Sequence, residues 1–294
     1  MNSDDPNAQQ AAYWNEVGGP HWVRQKRQFD RMLAPFGAAA LDALAARTGE
    51  RVLDIGCGTG LSSLQLAESV GPAGRVVGCD IAPTMIEAAR ERGAGIGQLS
   101  FRILDAQQDQ LAIDDARFDA VFSRFGVMFF SHPEMAFANI GAATRAGGRL
   151  AFACWQHESK NDWISVPAQI MREFTPDPVF PPAGAPGPFA FHDPERIRAV
   201  LTAGGWVDIE VVPCMAPTVM GGGDGLDAAM EQTMRTSVAQ IMRQQVDAET
   251  FDRASTAVRA ALATHLVTHL MSGAVNEAVV FDGNVWIVTA NRSN

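Results

Sequence analysis

The stretch Arg51-Val52-Leu53-Asp54-Ile55-Gly56-Cys57-Gly58-Thr59-Gly60 decides how this chain is read. Residues 52–55 have the apolar character of a buried strand, the alternate glycines free the backbone for a sharp turn, and residues 61–70 read as a helix closed by Gly71-Pro72. A strand that runs through glycines into a helix brings bare backbone to the carboxyl edge of a sheet. There a ligand can meet the N–H groups at the helix start.

Working outward, residues 75–80 read as a second strand and Pro83 opens a helix to about Arg92. Residues 99–104 and 118–123 read as strands, 135–143 as a helix and 149–155 as a fifth strand. This alternation implies right-handed crossovers and a parallel, doubly wound α/β sheet. Upstream, residues 7–47 read as helical, with Trp22, Phe29, Met32 and Leu33 at helical spacing and breaks at Gly18-Gly19-Pro20 and Pro35-Phe36-Gly37. Downstream, residues 156–192 hold Pro167, Pro176, Pro178, Pro181, Pro182, Pro186 and Pro188, which predicts a long connection with little regular structure. Then come a short helix capped by Asp193 and ending near Ala203, a sixth strand at 206–212, and a flexible joint at 220–225. Two helices follow, at 226–245 and 248–271. The chain closes with the apolar run 278–281, a turn at Asp282-Gly283-Asn284, and a last strand expected over 285–290.

At 294 residues, 47 % of them apolar, the chain suits one large domain with a substantial core. A net charge of −10 and the absence of any run of five among its basic residues argue against a nucleic-acid partner. The acidic N-terminus is unlike a signal peptide, no uncharged apolar run approaches membrane length, and a soluble cytoplasmic protein without a membrane partner is expected. Cys57, Cys79, Cys154 and Cys214 form no Cys-x-x-Cys pair, so neither a disulfide framework nor a metal site is expected.

The chemistry starts from Asp80, which closes the second strand twenty residues after Gly60, where a carboxylate can accept both hydroxyls of a ribose. Asp105 closes the third strand. Together with the glycines these describe a nucleoside site. Dinucleotide enzymes prefer Gly-x-Gly-x-x-Gly, whereas here the third glycine comes one residue early, and Asp54 suits a cationic amine better than a pyrophosphate. Both features favour an adenosyl sulfonium.

At these residues the sequence resembles the class I S-adenosylmethionine-dependent methyltransferases, particularly the small-molecule branch similar to the ubiquinone/menaquinone biosynthesis enzymes. The resemblance runs from about Asn7 through Trp155 and, less distinctly, through the last two strands. It implies that Asp54, Gly56, Cys57, Gly58, Thr59 and Gly60 surround the methionine moiety, that Asp80 binds the ribose with Ile81 and Met85 beside the adenine, and that Asp105 and Ala106 contact the adenine amino group. Ser123 and Phe125, with Arg124 between them, match the segment running under the methionine moiety. Residues 145–150 match a turn that usually carries proline where this chain has Ala146, which bears on the turn's rigidity. The implied fold is a Rossmann-like seven-stranded sheet with its last strand antiparallel. One methyltransferase domain, 1–294, would comprise a helical cap (1–48), a cofactor core (49–155) and acceptor-pocket insertions at 156–192 and 214–277.

Methyl transfer by in-line displacement needs positioning above all, and a general base where the acceptor is an ordinary hydroxyl. His132, His157 and His192 lie on connections near the carboxyl edge; His132 equally suits a helix start before Pro133, and His192 a structural place beside the Asp193 cap. Arg124 suits either an acceptor's anionic group or an ion pair with a neighbouring helix. Trp14 and Trp22, with Tyr13, suit either cation–π contact with the sulfonium or docking of the N-terminal helices. His265 and His269 have the i, i+4 spacing of a metal face but lack the Glu of a zinc-protease helix, and read as incidental on an amphipathic helix. The stripe Phe251, Ala254, Val258, Leu262 and Leu266 reads as core or as the contact of a homodimer. The expected activity is transfer of a methyl group from S-adenosyl-L-methionine to a small, partly apolar acceptor, oxygen first, then carbon or nitrogen. An NAD(P)-dependent oxidoreductase and a non-catalytic binder of the same cofactor are the rivals.

Overall fold

The computed structural model describes residues 7–112, 116–175, 184–271 and 274–293, with only the backbone of 269–276. A helical N-terminal segment, α1 (Ala8–Tyr13), a π-helical turn (Trp14–Gly18), α2 (Gly19–Arg24) and α3 (Lys26–Leu44), precedes the sheet. The alternating core follows: β1 (Arg51–Ile55), α4 (Leu61–Val70), β2 (Arg75–Asp80), α5 (Pro83–Arg92), β3 (Leu99–Ile103), β4 (Phe118–Arg124), α6 (Pro133–Ala143) and β5 (Thr144–Trp155). The remainder is α7 (Asp162–Arg172), α8 (Pro194–Ala203), β6 (Trp206–Val219), α9 (Gly225–Thr233), α10 (Ser237–Gln245), α11 (Ala248–Ala263), β7 (Leu266–Met271) and β8 (Ala274–Arg292).

The strand order is β3-β2-β1-β4-β5-β8-β6, parallel from β3 to β5. Only β8 runs against its neighbours β5 and β6. The order reverses between β1 and β4, the switch point at which open α/β sheets leave a crevice for ligands. Val52, Leu53, Val76, Val77, Ala120, Val121 and Phe122 are fully buried, the continuous apolar runs of a sheet covered on both faces. The doubly wound path of seven strands is therefore as expected, and β7, paired with β8 off this path, adds an eighth. Among the described residues no helix is long and apolar enough to cross a membrane.

Six local expectations are corrected. Helix α3 continues through Pro35-Phe36-Gly37, because Phe36 is fully buried and Gly37 gives room to Arg124, whose Cδ would lie 2.9 Å from a Cβ there. Residues 156–192 hold the helix α7, one face of which (Trp163, Ile164, Pro167, Ala168, Met171) is buried; Pro176 through Pro182 lie outside the described residues. Residues 220–225 are no loose joint: Gly221 and Gly222 take left-handed backbone in a buried turn, with Gly221 N–H donating to Gln232 Oε1 at 2.6 Å. The helix expected over 226–245 is split into α9 and α10, and the one expected to 271 ends at Ala263, where the chain turns into β7 and pairs with β8 from Leu266↔Val279 to Met271↔Ala274. Finally, Asp282-Gly283-Asn284 is not a turn. It lies within β8 opposite Pro217, Ala216 and Met215, since β6 extends seven residues beyond Val212. His265 consequently sits past α11, its ring tilted against Phe281 with centroids 4.1 Å apart; the side chain of His269 is outside the described residues. Ala254, Val258 and Leu262 are fully buried, so that stripe is core.

Strand β6 is an outer edge of the sheet. A bulge between Val207 and Glu210, with Asp208 at φ +52°, opens it, and Pro213 and Pro217 lie farther along.

Candidate functional site

The glycine loop is built by backbone requirements. Gly56, Gly58 and Gly60 have φ of +63°, +55° and +84°, in the left-handed region that side chains disfavour. A Cβ at Gly56 would meet Gly126 Cα at 2.8 Å, and one at Gly60 would meet Ala89 and Phe101 at 3.0 Å. At Gly58 a Cβ would only touch Trp22 Nε1 at 3.9 Å and Met85 Sδ at 4.0 Å, so the middle glycine lies uncrowded between the N-terminal segment and α5. Thr59 is buried, and Cys57 N–H donates to Cys79 O at 3.0 Å, joining the loop to β2. Burial raises the Cys57 and Cys79 thiols, which stay protonated.

Two carboxylates flank the loop. Asp54 is fully buried; its Oδ2 accepts from Ser62 Oγ at 2.7 Å and Ser63 Oγ at 2.6 Å, while its Oδ1 has no partner among the described residues. Burial pushes its pKa up to about 6, against the pull of the two serines and of Arg124. Asp80 accepts from Gly58 N–H at 3.0 Å and Ala82 N–H at 2.9 Å, and burial again raises its pKa against those bonds. Asp105 closes the far end, accepting from Gln107 N–H at 3.0 Å and from Asn7 Nδ2 at 3.4 Å. Ala106 is buried beside it with its carbonyl held by Asn139 Nδ2 at 2.9 Å. Ile81 is half-buried between Asp80 and α5, and Met85 is buried on that helix.

Strand β4 ends beneath the loop. Ser123 Oγ donates to Ile55 O at 2.8 Å, tying β4 to β1. Phe125, at φ +58°, stacks on Trp155 with centroids 4.7 Å apart, and Phe36 meets both edge-on. Trp163 adds to this aromatic wall 5.0 Å from Trp155. Trp14 is edge-on to Trp22 and to Phe129, and one face of Trp22 lies flat on Phe29 at 4.0 Å.

The candidate catalytic residues are dispersed. Arg124 is buried, with Nη2 3.4 Å from Asp30 Oδ1 on α3. His132 is the residue before α6, and its N–H donates to Gln107 Oε1 at 2.7 Å. His157 lies past β5, edge-on to His192 at 4.9 Å, with Nδ1 2.9 Å from Ser159 Oγ and Nε2 3.5 Å from Glu158. His192 Nδ1 donates to Phe189 O at 2.8 Å. Sequence reasoning missed Ser62 and Ser63, whose position in the first turn after the glycines was a usable signal, and Asp30, Phe36 and Asn161, which carry none. Asn161 is fully buried: its Nδ2 donates to Asn284 O at 3.1 Å, and its Oδ1 accepts from Asn284 N–H at 2.9 Å and Trp163 Nε1 at 3.3 Å.

The family described as "Methyltransferase domain" matches residues 52–148. The chain is 38 % identical over 130 residues to an aklanonic acid methyltransferase of Streptomyces sp. (strain C5), an alignment covering 42 % of this chain and 58 % of that protein. It is 31 % identical over 177 residues to a demethylmenaquinone methyltransferase of Deinococcus radiodurans, covering 58 % of this chain and 72 % of that one. The chain belongs to the class I S-adenosylmethionine-dependent methyltransferases. This methyltransferase spans about half the length of most relatives it matches, 58 % of the Streptomyces protein among them. A crystal structure of a methyltransferase from Bacillus halodurans shares the fold at a TM-score of 0.53 and 16 % identity, covering 88 % of this chain and 99 % of that one. The family's cofactor is S-adenosylmethionine, and the donor set fits it: a buried carboxylate oxygen at Asp54 without a partner among the described residues, a second carboxylate at Asp80, and an uncrowded glycine at Gly58.

Proposed function

We propose that this chain is a methyltransferase that moves the methyl group of S-adenosylmethionine onto a small, partly apolar acceptor, at oxygen first and at carbon or nitrogen next. The observation that carries the reading is Asp54 Oδ1, a buried carboxylate oxygen lacking a partner among the described residues beside a glycine loop. Such an atom calls for a cation, and the ammonium of the cofactor's methionine moiety is one. A pyrophosphate, which an NAD(P)-dependent oxidoreductase would bring to this loop, would meet a carboxylate. Asp80 would hold the ribose hydroxyls, Ile81, Met85 and Ala106 the adenine, and Asp105 its amino group. Gly56, Cys57, Gly58, Thr59, Gly60, Ser123 and Phe125 would shape the methionine site, and Trp14 and Trp22 would close it.

Bound there, the cofactor supplies a methyl on a sulfonium, a carbon already open to displacement. The chain's task is alignment and exclusion of water, for which orientation can contribute roughly 7–11 kcal/mol. Residues 1–48 would form the lid, and 156–192 with 214–277 the acceptor pocket above Phe125, Trp155 and Phe36. A wall of aromatic rings suits a flat, apolar acceptor. His157, half exposed at the end of β5, is the better placed general base; His132 is committed to a helix start, and Arg124 is engaged by Asp30.

Calorimetric titration tests the reading. S-adenosylhomocysteine should bind and NAD(P)H should not, and labelled methyl should pass to a member of a phenol, quinol and amine panel. Binding of NAD(P)H alone would refute the cofactor, and binding without transfer across the panel would favour a non-catalytic scaffold.

A further inference from the structure

Arg124 is held by a carboxylate from another part of the chain. Its Cδ passes under α3 at Gly37, and its Nη2 reaches Asp30 Oδ1 at 3.4 Å. Asp30 is shared: Arg92 Nη2, at the end of α5, lies 2.8 Å from Oδ2, and Arg92 Nη1 is buried without a partner among the described residues. These side chains are 8 % (Arg124), 15 % (Asp30) and 19 % (Arg92) exposed, so their charges are poorly screened. On the sheet, Asp54 lies opposite Phe122, so Arg124, two residues on, is on the same face and one pleat nearer the carboxyl edge. The guanidinium is thus tied to Asp30 on α3, on the same face of the sheet as Asp54 on β1, and Asp30 answers two arginines at this junction.

We propose that Arg124 is a positioning residue for the cofactor's ammonium site: its charge keeps Asp54 ionised, while Asp30 holds the guanidinium back so that Asp54 Oδ1 stays open. The inference rests on the cofactor placement given above. Asp30 thereby has a function that a plain helix-docking ion pair lacks. Without it, Arg124 is free to turn onto Asp54 and compete with the ammonium. Without Arg124, Asp54 loses the one cation acting on it from β4. The other groups acting on Asp54 are Ser62 and Ser63 from α4 and Asp80 from β2, the Cys57 and Cys79 thiols also lie within its field, and Arg124 in turn faces Asp30, Arg92 and Asp54.

The test is the pH dependence of S-adenosylhomocysteine affinity, measured by calorimetry between pH 5 and 8.5, beside 5′-methylthioadenosine, which shares the nucleoside and thioether but has no ammonium. In the wild type, affinity for S-adenosylhomocysteine rises with pH as Asp54 ionises. Arg124→Met should move the midpoint up by about one pH unit and Asp30→Asn should move it down by a similar amount, the scale of a lost or strengthened neighbouring charge. Asp30→Asn should also weaken S-adenosylhomocysteine roughly tenfold near pH 8, one unit's worth of equilibrium constant. Arg124→Lys, which keeps the charge, should return the midpoint toward the wild type, and 5′-methylthioadenosine should bind all variants alike. Coincident midpoints, or a parallel loss of 5′-methylthioadenosine, would overturn the proposal and leave Arg124 a structural ion pair. Should Arg124→Met not fold, the downward shift in Asp30→Asn decides alone. Absence of S-adenosylhomocysteine binding to the wild type would instead refute the cofactor placement.

Discussion

Replacing Asp54 by Asn should make the cofactor-free protein more stable while depriving it of its ligand. Asp54 is fully buried and its pKa is raised from 3.8 to about 6, so ionising it costs more in the folded chain than in the unfolded one. The penalty is small below the unfolded value, grows as the pH rises, and is complete above the folded value. Linkage gives about 3 kcal/mol near pH 8 and well under about 1 kcal/mol near pH 4. Asn keeps the volume, and its oxygen can still accept from Ser62 and Ser63, but it has no charge to desolvate. The variant should therefore melt roughly 5 °C above the wild type near pH 8 and close to it near pH 4. Scanning calorimetry across that range, with no ligand added, reads the difference, and titration of S-adenosylhomocysteine reads the accompanying loss of affinity. A variant no more stable than the wild type near pH 8, or a gain independent of pH, would refute the reasoning.

Three further outcomes are expected. Asp80→Ala should weaken S-adenosylhomocysteine binding by roughly 10- to 100-fold in titration, since hydrogen bonds to charged groups contribute about 1.5–3 kcal/mol, and it also frees the Gly58 N–H that shapes the loop. Gly60→Ala should lower the melting temperature and weaken the same ligand, because a side chain at φ +84° is strained and its Cβ would stand 3.0 Å from Ala89 and Phe101. Asn161→Ala should cost about 3 kcal/mol in denaturant unfolding by stranding buried donors and acceptors of Gln156, α7 and β8, and α7 should be the first segment to exchange its amide hydrogens.

What could be read from the sequence was whatever is written within one segment. Residues 51–60 announce a strand, a turn and the start of a helix in ten positions, and Asp80 and Asp105 mark strand ends by their place alone. The contacts that make a site of them are not local. Asp30 meets Arg124 across 94 residues and Asn161 meets Asn284 across 123, and neither pair has a spacing to notice. Gly37 looked like a helix breaker and is instead a gap for a side chain from another element. Strand β7 was hidden for a related reason: as part of an apolar helical stripe its residues fit a helix well, and only pairing with β8 makes them a strand. Helix α7 was legible in the spacing of Trp163, Ile164, Pro167, Ala168 and Met171, but the prolines after it outweighed the pattern.

The outermost strand, β6, has one more consequence. A long strand at the rim of a sheet presents unpaired amides to any other extended chain, which makes it a template for polymerisation. Here the kink at Asp208 breaks the straight run, and Pro213 and Pro217 have no N–H to offer, so an incoming strand would find the row of donors interrupted along β6. The sheet is self-limiting on this side: it can support a pocket above its carboxyl edge without inviting another chain to extend it.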